Sequence, residues 1–196
     1  MKVSNIYSTI NFGKTAVATC NVKEKDSKKL ISATIFQMDP LDEKDYKEIK
    51  FSKYTKDLQY GVETERENGT HNNRGREFYL VKANKNGEVV ACAQTLHRYR
   101  ANNASFPGLS TMVEEISENY KFDNPALPLM GYITQIANER YDKSIISIVG
   151  TDESPRIQKK LKLKETENEG VFVLSKRRFD NFIKKAQEKS QLEFLA

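Results

Sequence analysis

Alternation of apolar and polar residues predicts where the first strands of this chain lie. Ile31–Phe36 alternates with a period of two, which is typical of a half-buried strand. A helical stretch is expected to follow from Asp39 to about Leu58, because Asp39-Pro40 is a helix start signal. The segments 77–83 and 88–96 flank Asn84-Lys85-Asn86-Gly87, which accepts the positive φ of a tight turn. These two segments therefore predict a β-hairpin.

The second half of the chain alternates between helical and strand patterns. Residues 108–119 fit a helix with a Thr111–Glu114 capping box, and they also fit a strand. Pro125 opens a predicted helix that runs to Tyr141. Ser144–Gly150 is apolar and β-branched enough for a central buried strand. The pattern then predicts a short helix over 154–161, a strand over 171–174, and an amphipathic helix through Phe179, Phe182, Ile183 and Ala186.

The pattern divides the chain into three parts. Residues 1–30 are predicted to be a partly ordered extension, since they end in the charge run Lys23–Lys29 and hold few apolar anchors. Residues 31–175 form the predicted core domain, and 176–196 form a basic amphipathic helix at the carboxyl end. Within the core, Gly61–Gly75 holds one apolar residue and is predicted to be a long mobile loop. A length of 196 residues agrees with one domain that carries tails.

The positive charge is concentrated near the carboxyl end. The formal net charge is +5, and residues 155–196 carry 11 basic and 6 acidic residues, which leaves 21 of each sign in the rest of the chain. This surface is expected either to attract phosphate groups, on a nucleic acid or a nucleotide-like cofactor, or to be a solvated helix face. Apolar runs are too short to cross a bilayer, and the start does not resemble a signal peptide. A cytoplasmic protein without a membrane partner is therefore expected.

Several common chemistries lack their residue patterns. The sequence contains neither a phosphate-binding loop of the GxxxxGK[ST] type nor a GxGxxG motif after a strand. Cys20 and Cys92 match no zinc spacing and no disulfide framework. His71 and His97 are too far apart in sequence for a histidine-based site, so no metal is expected. Cys92 and His97 are predicted to share a strand and to face opposite sides of it, which argues against a thiol–imidazole pair.

Two adjacent carboxylates, Glu114 and Glu115, are the candidate general bases. If they lie on a strand, one is expected to face each side, so that a single carboxylate points into a cleft. If they lie on a helix, Glu114 is merely a cap partner. Five tyrosines are candidate general acids through their phenol groups, although packing in the core explains their presence equally well. They are Tyr60, Tyr99, Tyr120, Tyr132 and Tyr141.

The order of elements from the hairpin to Leu174 resembles that of the GNAT acyltransferase superfamily. Gly131–Arg140, Ile145–Val149 and Gln158–Lys164 resemble the helix, the fifth strand and the terminal signature of that family in order and spacing. The resemblance implies an α/β (mixed α+β) fold with a central, mostly antiparallel sheet flanked by helices. It also implies transfer of an acetyl or related group from acyl-CoA to an unknown amine by direct attack, with acetyl-CoA as cosubstrate.

The family's pyrophosphate loop, Gln/Arg-x-x-Gly-x-Gly/Ala, is matched only in part by residues 121–126. Lys121 supplies charge, Asn124 tolerates the left-handed backbone of a glycine, and Ala126 fits the last position. Asp123 adds negative charge and Pro125 lacks an N–H that could face phosphate. The resemblance therefore implies a degenerate cofactor loop with Lys121, Asn124 and Ala126 as its binding residues.

The terminal signature also departs from the family. Gln158 stands where the family commonly has a tyrosine, and glutamine cannot protonate a leaving thiolate. Gln158 is assigned to the cofactor site, and Glu114 or Glu115 to the base. The alternative is a GNAT-like binding module that has lost catalysis. Direct nucleic-acid binding is not expected, because Leu96–Arg100 is the sole stretch that interleaves aromatic and basic residues.

Overall fold

A computed structural model describes residues 13–51, 55–68, 76–101, 108–148 and 154–195. Its strands are β1 Thr15–Glu24, β2 Leu30–Met38, β3 Arg76–Ala83, β4 Val89–Ala101, β5 Gly108–Glu118, β6 Phe122–Asp123, β7 Ser144–Ile148, β8 Lys164–Glu165, β9 Val171–Ser175 and β10 Glu193–Phe194. Its α-helices are α1 Glu43–Phe51, α2 Lys56–Asn68, α3 Ala126–Glu139, α4 Ser154–Lys160 and α5 Phe179–Ser190, and Lys176–Arg178 forms a 3₁₀ turn.

The described strands form one sheet. Their order is β10-β1-β2-β3-β4-β5-β7-β9-β8, and β6 pairs with β1 at the side of this path. Neighbouring strands are antiparallel except for β5 and β7, which are parallel. The mixed, mostly antiparallel sheet flanked by helices confirms the predicted fold class.

Two hydrophobic clusters cover the two faces of the sheet. The larger one packs α3, α4 and α5 on one face, called here the α3 side, and includes Ile116, Leu129, Ile157, Phe172 and Phe179. The smaller one packs α1 and α2 on the other face, the α2 side, and includes Ile49, Leu58, Val62, Phe78 and Leu80. Because side chains alternate along a strand, this division assigns each strand residue to a face.

Strand β1 lies within the sheet, where the sequence predicted a partly ordered extension. It pairs with β2 from Thr15↔Gln37 to Lys23↔Leu30, and Ala18, Cys20 and Val22 are buried on the α3 side. The expectation that the core begins after residue 30 is therefore wrong for residues 15–24. These small apolar residues recur with a period of two, which is a strand signal. The sequence prediction gave more weight to the charge run that follows them. The boundaries at residues 31 and 176 stay predictions.

The helical stretch predicted over 39–58 divides into α1 and α2, and α2 continues to Asn68. Gly61–Asn68 is therefore helical rather than part of a loop, because Leu58 and Val62 bury one helix face against Phe78 of the sheet. Residues 69–75 of the predicted loop, including His71, lie outside the described residues.

The hairpin is confirmed by β3 and β4, and Gly87 has the expected positive φ of 69°. Residues 108–118 form strand β5, so the helical alternative with its capping box is excluded for them. Helix α3 begins after Pro125, and it ends at Glu139 instead of Tyr141, whose φ is 60°. The predicted elements β7, α4, β9 and α5 are present, with bounds close to those expected.

Candidate active site

The pairing of the parallel strands β5 and β7 stops partway along β5, and we call the part of β5 beyond it the opening between the two strands. Their pairing covers Thr111↔Ile145, Met112↔Ile146 and Val113↔Ser147. Strand β7 then ends at Ile148, whereas β5 continues to Glu118. Ligands of open α/β sheets bind at the carboxyl ends of such diverging strands.

A β-bulge lies on β5 at the start of this opening. Gln94 pairs with Glu115, and the next residue of β4, Thr95, pairs with Val113. Glu114 is therefore the extra residue of the bulge. A bulge leaves one residue unpaired in the ladder and redirects side chains, which is why bulges recur next to active sites.

The bulge brings both glutamates to the same face of the sheet. Val113 and Ile116 are both buried on the α3 side, so two residues separate them instead of the usual one. Glu115 lies directly opposite Gln94, and Gln94 abuts Gly61 of α2. Residues directly opposite each other point to the same face. The expectation that the two glutamates face opposite sides is therefore wrong, because the bulge shifts the alternation.

Glu114 belongs to a hydrogen-bonded cluster on the α2 side. Arg76 binds it in a bidentate manner, with Nε 2.8 Å from Oε2 and Nη2 3.1 Å from Oε1. Gln94 Nε2 donates to Glu114 Oε2 at 2.7 Å, and Arg76 Nη1 lies 3.2 Å from Glu65 Oε1 of α2. The hydrogen bonds to Glu114 raise the pKa of Arg76 against the lowering effect of burial.

We call Glu65, Arg76, Gln94, Glu114 and Glu115 the acidic cluster. Its three carboxylates outnumber its one guanidinium, so it attracts a cation such as an ammonium group. Sequence patterning missed Glu65, Arg76 and Gln94. A period of two along β3 would have placed Arg76 on the same face as Phe78 and Leu80, but nothing in the sequence reveals that α2 supplies Glu65.

Helix α2 approaches β4 closely at Gly61. A Cβ atom at this position would lie 2.0 Å from Gln94 Oε1, which is far inside van der Waals contact. The amide orientation of Gln94 follows from its donation to Glu114. Gly61 thus permits the rotamer that directs Gln94 Nε2 toward the carboxylate.

Hydrogen bonds of Asn119 hold the loop after β5 in place. Its Oδ1 accepts from the N–H of Lys121 at 3.1 Å, and its backbone oxygen accepts from the N–H of Phe122 at 3.1 Å. Its Nδ2 donates to the carbonyl oxygen of Val89 at 3.0 Å. Asn124 takes the predicted left-handed conformation, with φ 53°. The N–H groups of Lys121 and Phe122 are therefore already engaged, unlike those of a glycine-rich phosphate cradle.

Cationic side chains surround Tyr120 in the same loop. Lys25 Nζ lies 5.7 Å and Arg156 Cζ 5.1 Å from the ring centroid. Lys25 N–H donates to the Lys121 carbonyl at 2.9 Å, and Lys121 Nζ lies 2.8 Å from Glu88 Oε1. We call Lys25, Lys121 and Arg156 the basic rim. The residues present fit the anionic phosphates of acyl-CoA through these side chains more than through backbone amides.

The other residues assigned to the cofactor are buried. Ala126 is fully buried in the first turn of α3. Gln158 is also fully buried and donates to Ser147 Oγ of β7, so it fastens α4 to the sheet. Lys121, Asn124 and Ala126 thus follow β5, the strand that carries the two glutamates, while Gln158 serves the packing of α4.

A second polar network joins the end of α3 to the sheet. Glu77 Oε2 lies 3.0 Å from His97 Nε2, and Glu77 Oε1 accepts from Arg140 Nη2 at 2.8 Å. Tyr79 also donates to Glu77. Burial alone would raise the pKa of Glu77, but its contacts with His97, Tyr79 and Arg140 lower this pKa to about 2. Cys92 is buried on the α2 side, so the predicted separation of Cys92 from His97 is observed.

The described residues offer few other reactive groups. None of the His, Cys, Asp and Glu side chains in this part of the chain form a group that could hold a metal ion. Cys20 and Cys92 are buried and form no disulfide, and burial raises the pKa of Cys20 to about 12. Tyr60 and Tyr141 are exposed. Among the described helices, none is long and apolar enough to cross a membrane.

Comparisons with known proteins identify the fold. The sequence matches no protein-family model and no curated protein sequence. The structure is similar to a crystal structure of AtaTR bound with AcCoA, with a TM-score of 0.55 and 13% identity over 76% of this chain and 96% of that one. It is also similar to apo FdhC, a nucleotide-linked sugar GNAT, with a TM-score of 0.53 and 13% identity over 85% of this chain and 97% of that one. A third similar structure is that of AtaT complexed with acetyl-methionyl-tRNAfMet. Its TM-score is 0.51, with 13% identity over 76% of this chain and 98% of that one.

These similarities extend over most of each solved chain at low identity. The chain therefore has the GNAT fold, as its order of elements implied.

Proposed function

We propose that this protein is an N-acyltransferase that moves an acetyl or related acyl group from acyl-CoA to an amine by direct attack. The observation that carries the proposal is the opening between β5 and β7, which begins at the Glu114 bulge and has the acidic cluster on the α2 side. The two glutamates adjoin the opening, which is where a base and a thioester must meet.

Acyl-CoA would supply a thioester whose carbonyl carbon bonds to the amine nitrogen as the C–S bond breaks. The proton that the nitrogen loses balances the one that the sulfur of CoA gains. The basic rim, with Asn124 and Ala126 at the start of α3, would hold its phosphates. Backbone N–H groups of β5 beyond its pairing with β7 would polarise the carbonyl oxygen.

The acidic cluster would prepare the amine. Its net negative charge draws an ammonium group toward Glu114 and Glu115. Because Glu114 is held by Arg76 and Gln94, it orients the amine, and Glu115 next to it accepts the proton. Geometry comes first for such a base, since it must lie within hydrogen-bond reach of the proton that it removes.

The proposal specifies the acceptor only as an amine, and it includes a cytoplasmic location and no nucleic-acid partner. The names of the similar structures include an acetylated aminoacyl-tRNA and a nucleotide-linked sugar, and so describe different acceptors on one fold. A fold does not specify its substrate.

Transfer of an acetyl group to a panel of amines, followed by mass spectrometry, tests the proposal. Glu115→Gln is expected to lower kcat by about 10²-fold or more, as loss of a general base does. Glu114→Gln is expected to lower activity as well, and exposed Glu63→Gln on α2 is the control. If Glu114→Gln and Glu115→Gln both keep the wild-type turnover, neither glutamate has its proposed role in catalysis.

The second candidate is a GNAT-fold binding module without catalysis. Closure of the loop by Asn119 and the burial of Gln158 at the place of the family's tyrosine favour it. This candidate predicts that acetyl-CoA does not bind and that none of the tested amines is acetylated.

A further inference from the structure

Helix α2 reaches Glu114 of β5 by two separate routes. Glu65 Oε1 lies 3.2 Å from Arg76 Nη1, and Arg76 holds Glu114 through Nε and Nη2. Gly61, one turn earlier on α2, packs against Gln94, whose Nε2 donates to Glu114 Oε2 at 2.7 Å. Residues one helical turn apart lie on the same face, so a single face of α2 supports both contacts. We call Glu65, Arg76 and Gln94 the clamp.

The clamp occupies most of the acceptor capacity of Glu114. Among the described residues, Oε2 accepts from Arg76 Nε at 2.8 Å and from Gln94 Nε2 at 2.7 Å, and Oε1 accepts from Arg76 Nη2 at 3.1 Å. A carboxylate offers about four lone-pair sites. The three bonds therefore leave about one site, on Oε1, for an N–H of the acceptor amine. An amine that binds there is fixed in direction as well as in position.

The ionic part of the clamp is largely shielded from water. The exposed fraction of the side chain is 13% for Glu65, 15% for Arg76 and 18% for Glu114. Water therefore competes little for the N–H donors of Arg76, and hydrogen bonds between charged groups are the stronger ones. The guanidinium is a planar fork that binds both oxygens of Glu114 at once. A contact that holds the plane of Arg76 thus also holds the carboxylate of Glu114.

We propose that Glu65 is a positioning residue, which fixes the guanidinium of Arg76 and through it the direction in which Glu114 presents the acceptor amine to the thioester. This proposal rests on the acyltransferase function. Orientation matters because a misplacement of about 1 Å can slow a reaction by about 10²-fold. Glu65 acts through Arg76 and touches no reacting atom, so its loss affects the rate more than the binding of the cofactor.

Steady-state kinetics of acetyl transfer to an amine from the panel test this role. Glu65→Ala is expected to lower kcat about tenfold and to leave the KM for acetyl-CoA unchanged, because Arg76 is then free to turn. Glu65→Gln keeps an acceptor for Arg76 and should recover part of the lost rate. Glu67→Ala, which removes an exposed acid of the same helix, is the matched control and should keep the wild-type kcat.

Two further variants show whether orientation is what Glu65 supplies. Arg76→Lys keeps the positive charge but loses the planar fork, and it is expected to lower kcat at least as much as Glu65→Ala. If Glu65 acts only through Arg76, the double variant Glu65→Ala/Arg76→Lys should be at most about twofold slower than Arg76→Lys, because effects within one network are not additive. Thermal unfolding shows that each variant is folded at the assay temperature. A merely structural Glu65 would lower the Tm and leave the kcat of the folded enzyme unchanged.

Three results would overturn the proposal: a wild-type kcat in Glu65→Ala, a wild-type kcat in Arg76→Lys, or a double variant in which the two losses multiply. Activity of the wild type separates this proposal from the function on which it rests. If the wild type acetylates an amine while Glu65→Ala is equally fast, only the positioning role fails. If the wild type acetylates no amine of the panel, the acyltransferase function fails, and the positioning role fails with it.

Discussion

Lys160 on α4 lies 3.1 Å from Glu118 at the end of β5, Nζ to Oε1. The side chain of Glu118 is only 1% exposed, and Lys160 is the cation beside it. The pair connects α4 to β5 across the opening between β5 and β7. Lys160 therefore stabilises the packing of α4 against β5.

Lys160→Met is expected to lower the free energy of unfolding by about 3 kcal/mol, because removing one partner leaves a buried charge without compensation. Urea denaturation at pH 7 measures this change. Lys159→Met, at the exposed neighbouring lysine, is the control and should change stability by less than about 0.5 kcal/mol. A Lys160 variant as stable as the wild type would show that Glu118 does not need its partner.

Much of the fold follows from the sequence, and most of the site does not. The hairpin, α3, β7 and α5 follow from strong periodicity and from Asn-Gly and proline signals. Strand β1 was missed because its apolar residues, such as Ala18, are small and precede a charge run. The sequence predicts a loop from Gly61 onward, because Gly61 and the polar residues after it resemble one. Tertiary packing of Val62 instead extends helix α2 beyond this point.

The site depends on a feature that sequence periodicity cannot reveal. Glu114 and Glu115 are adjacent on β5, and the bulge that turns them to one face arises from pairing with β4. Arg76 and Glu65 reach Glu114 from elements that are far apart in sequence. Long-range register, rather than local pattern, assembles this cluster.

Gly61→Ala tests the close approach of α2 to β4. The added Cβ would collide with Gln94 Oε1, and overpacking costs about 1–3 kcal/mol, against a gain of about 1 kcal/mol in helix propensity. Net destabilisation is therefore expected in urea denaturation. In the Gln94→Ala background the same change should be neutral or stabilising. A Gly61 variant more stable than the wild type would contradict the predicted collision.

Glu77 predicts an acid-dependent loss of stability. Because folding lowers the pKa of Glu77 from 4.5 to about 2, its contribution is complete above pH 4.5 and is lost as the pH falls toward 2. Between pH 6 and pH 3 this one group should account for about 2 kcal/mol of lost stability.

The matched variant for this prediction is Glu77→Gln, which cannot titrate at this position. Urea denaturation at pH 6 and pH 3 should show a smaller decrease for Glu77→Gln than for the wild type. Equal decreases would mean that the contacts with His97 and Arg140 do not lower the pKa of Glu77.

The most direct test of the acyltransferase proposal is calorimetric titration of the full chain with acetyl-CoA, supported by thermal unfolding. Ligand that binds the folded state alone must raise its stability, by about 2.7 kcal/mol at a hundredfold excess over Kd. We predict saturable binding at one site, weakened at least tenfold by Arg156→Glu in the basic rim and unchanged by Lys44→Glu on α1. Absence of both heat and thermal shift at millimolar acetyl-CoA would contradict the proposed function.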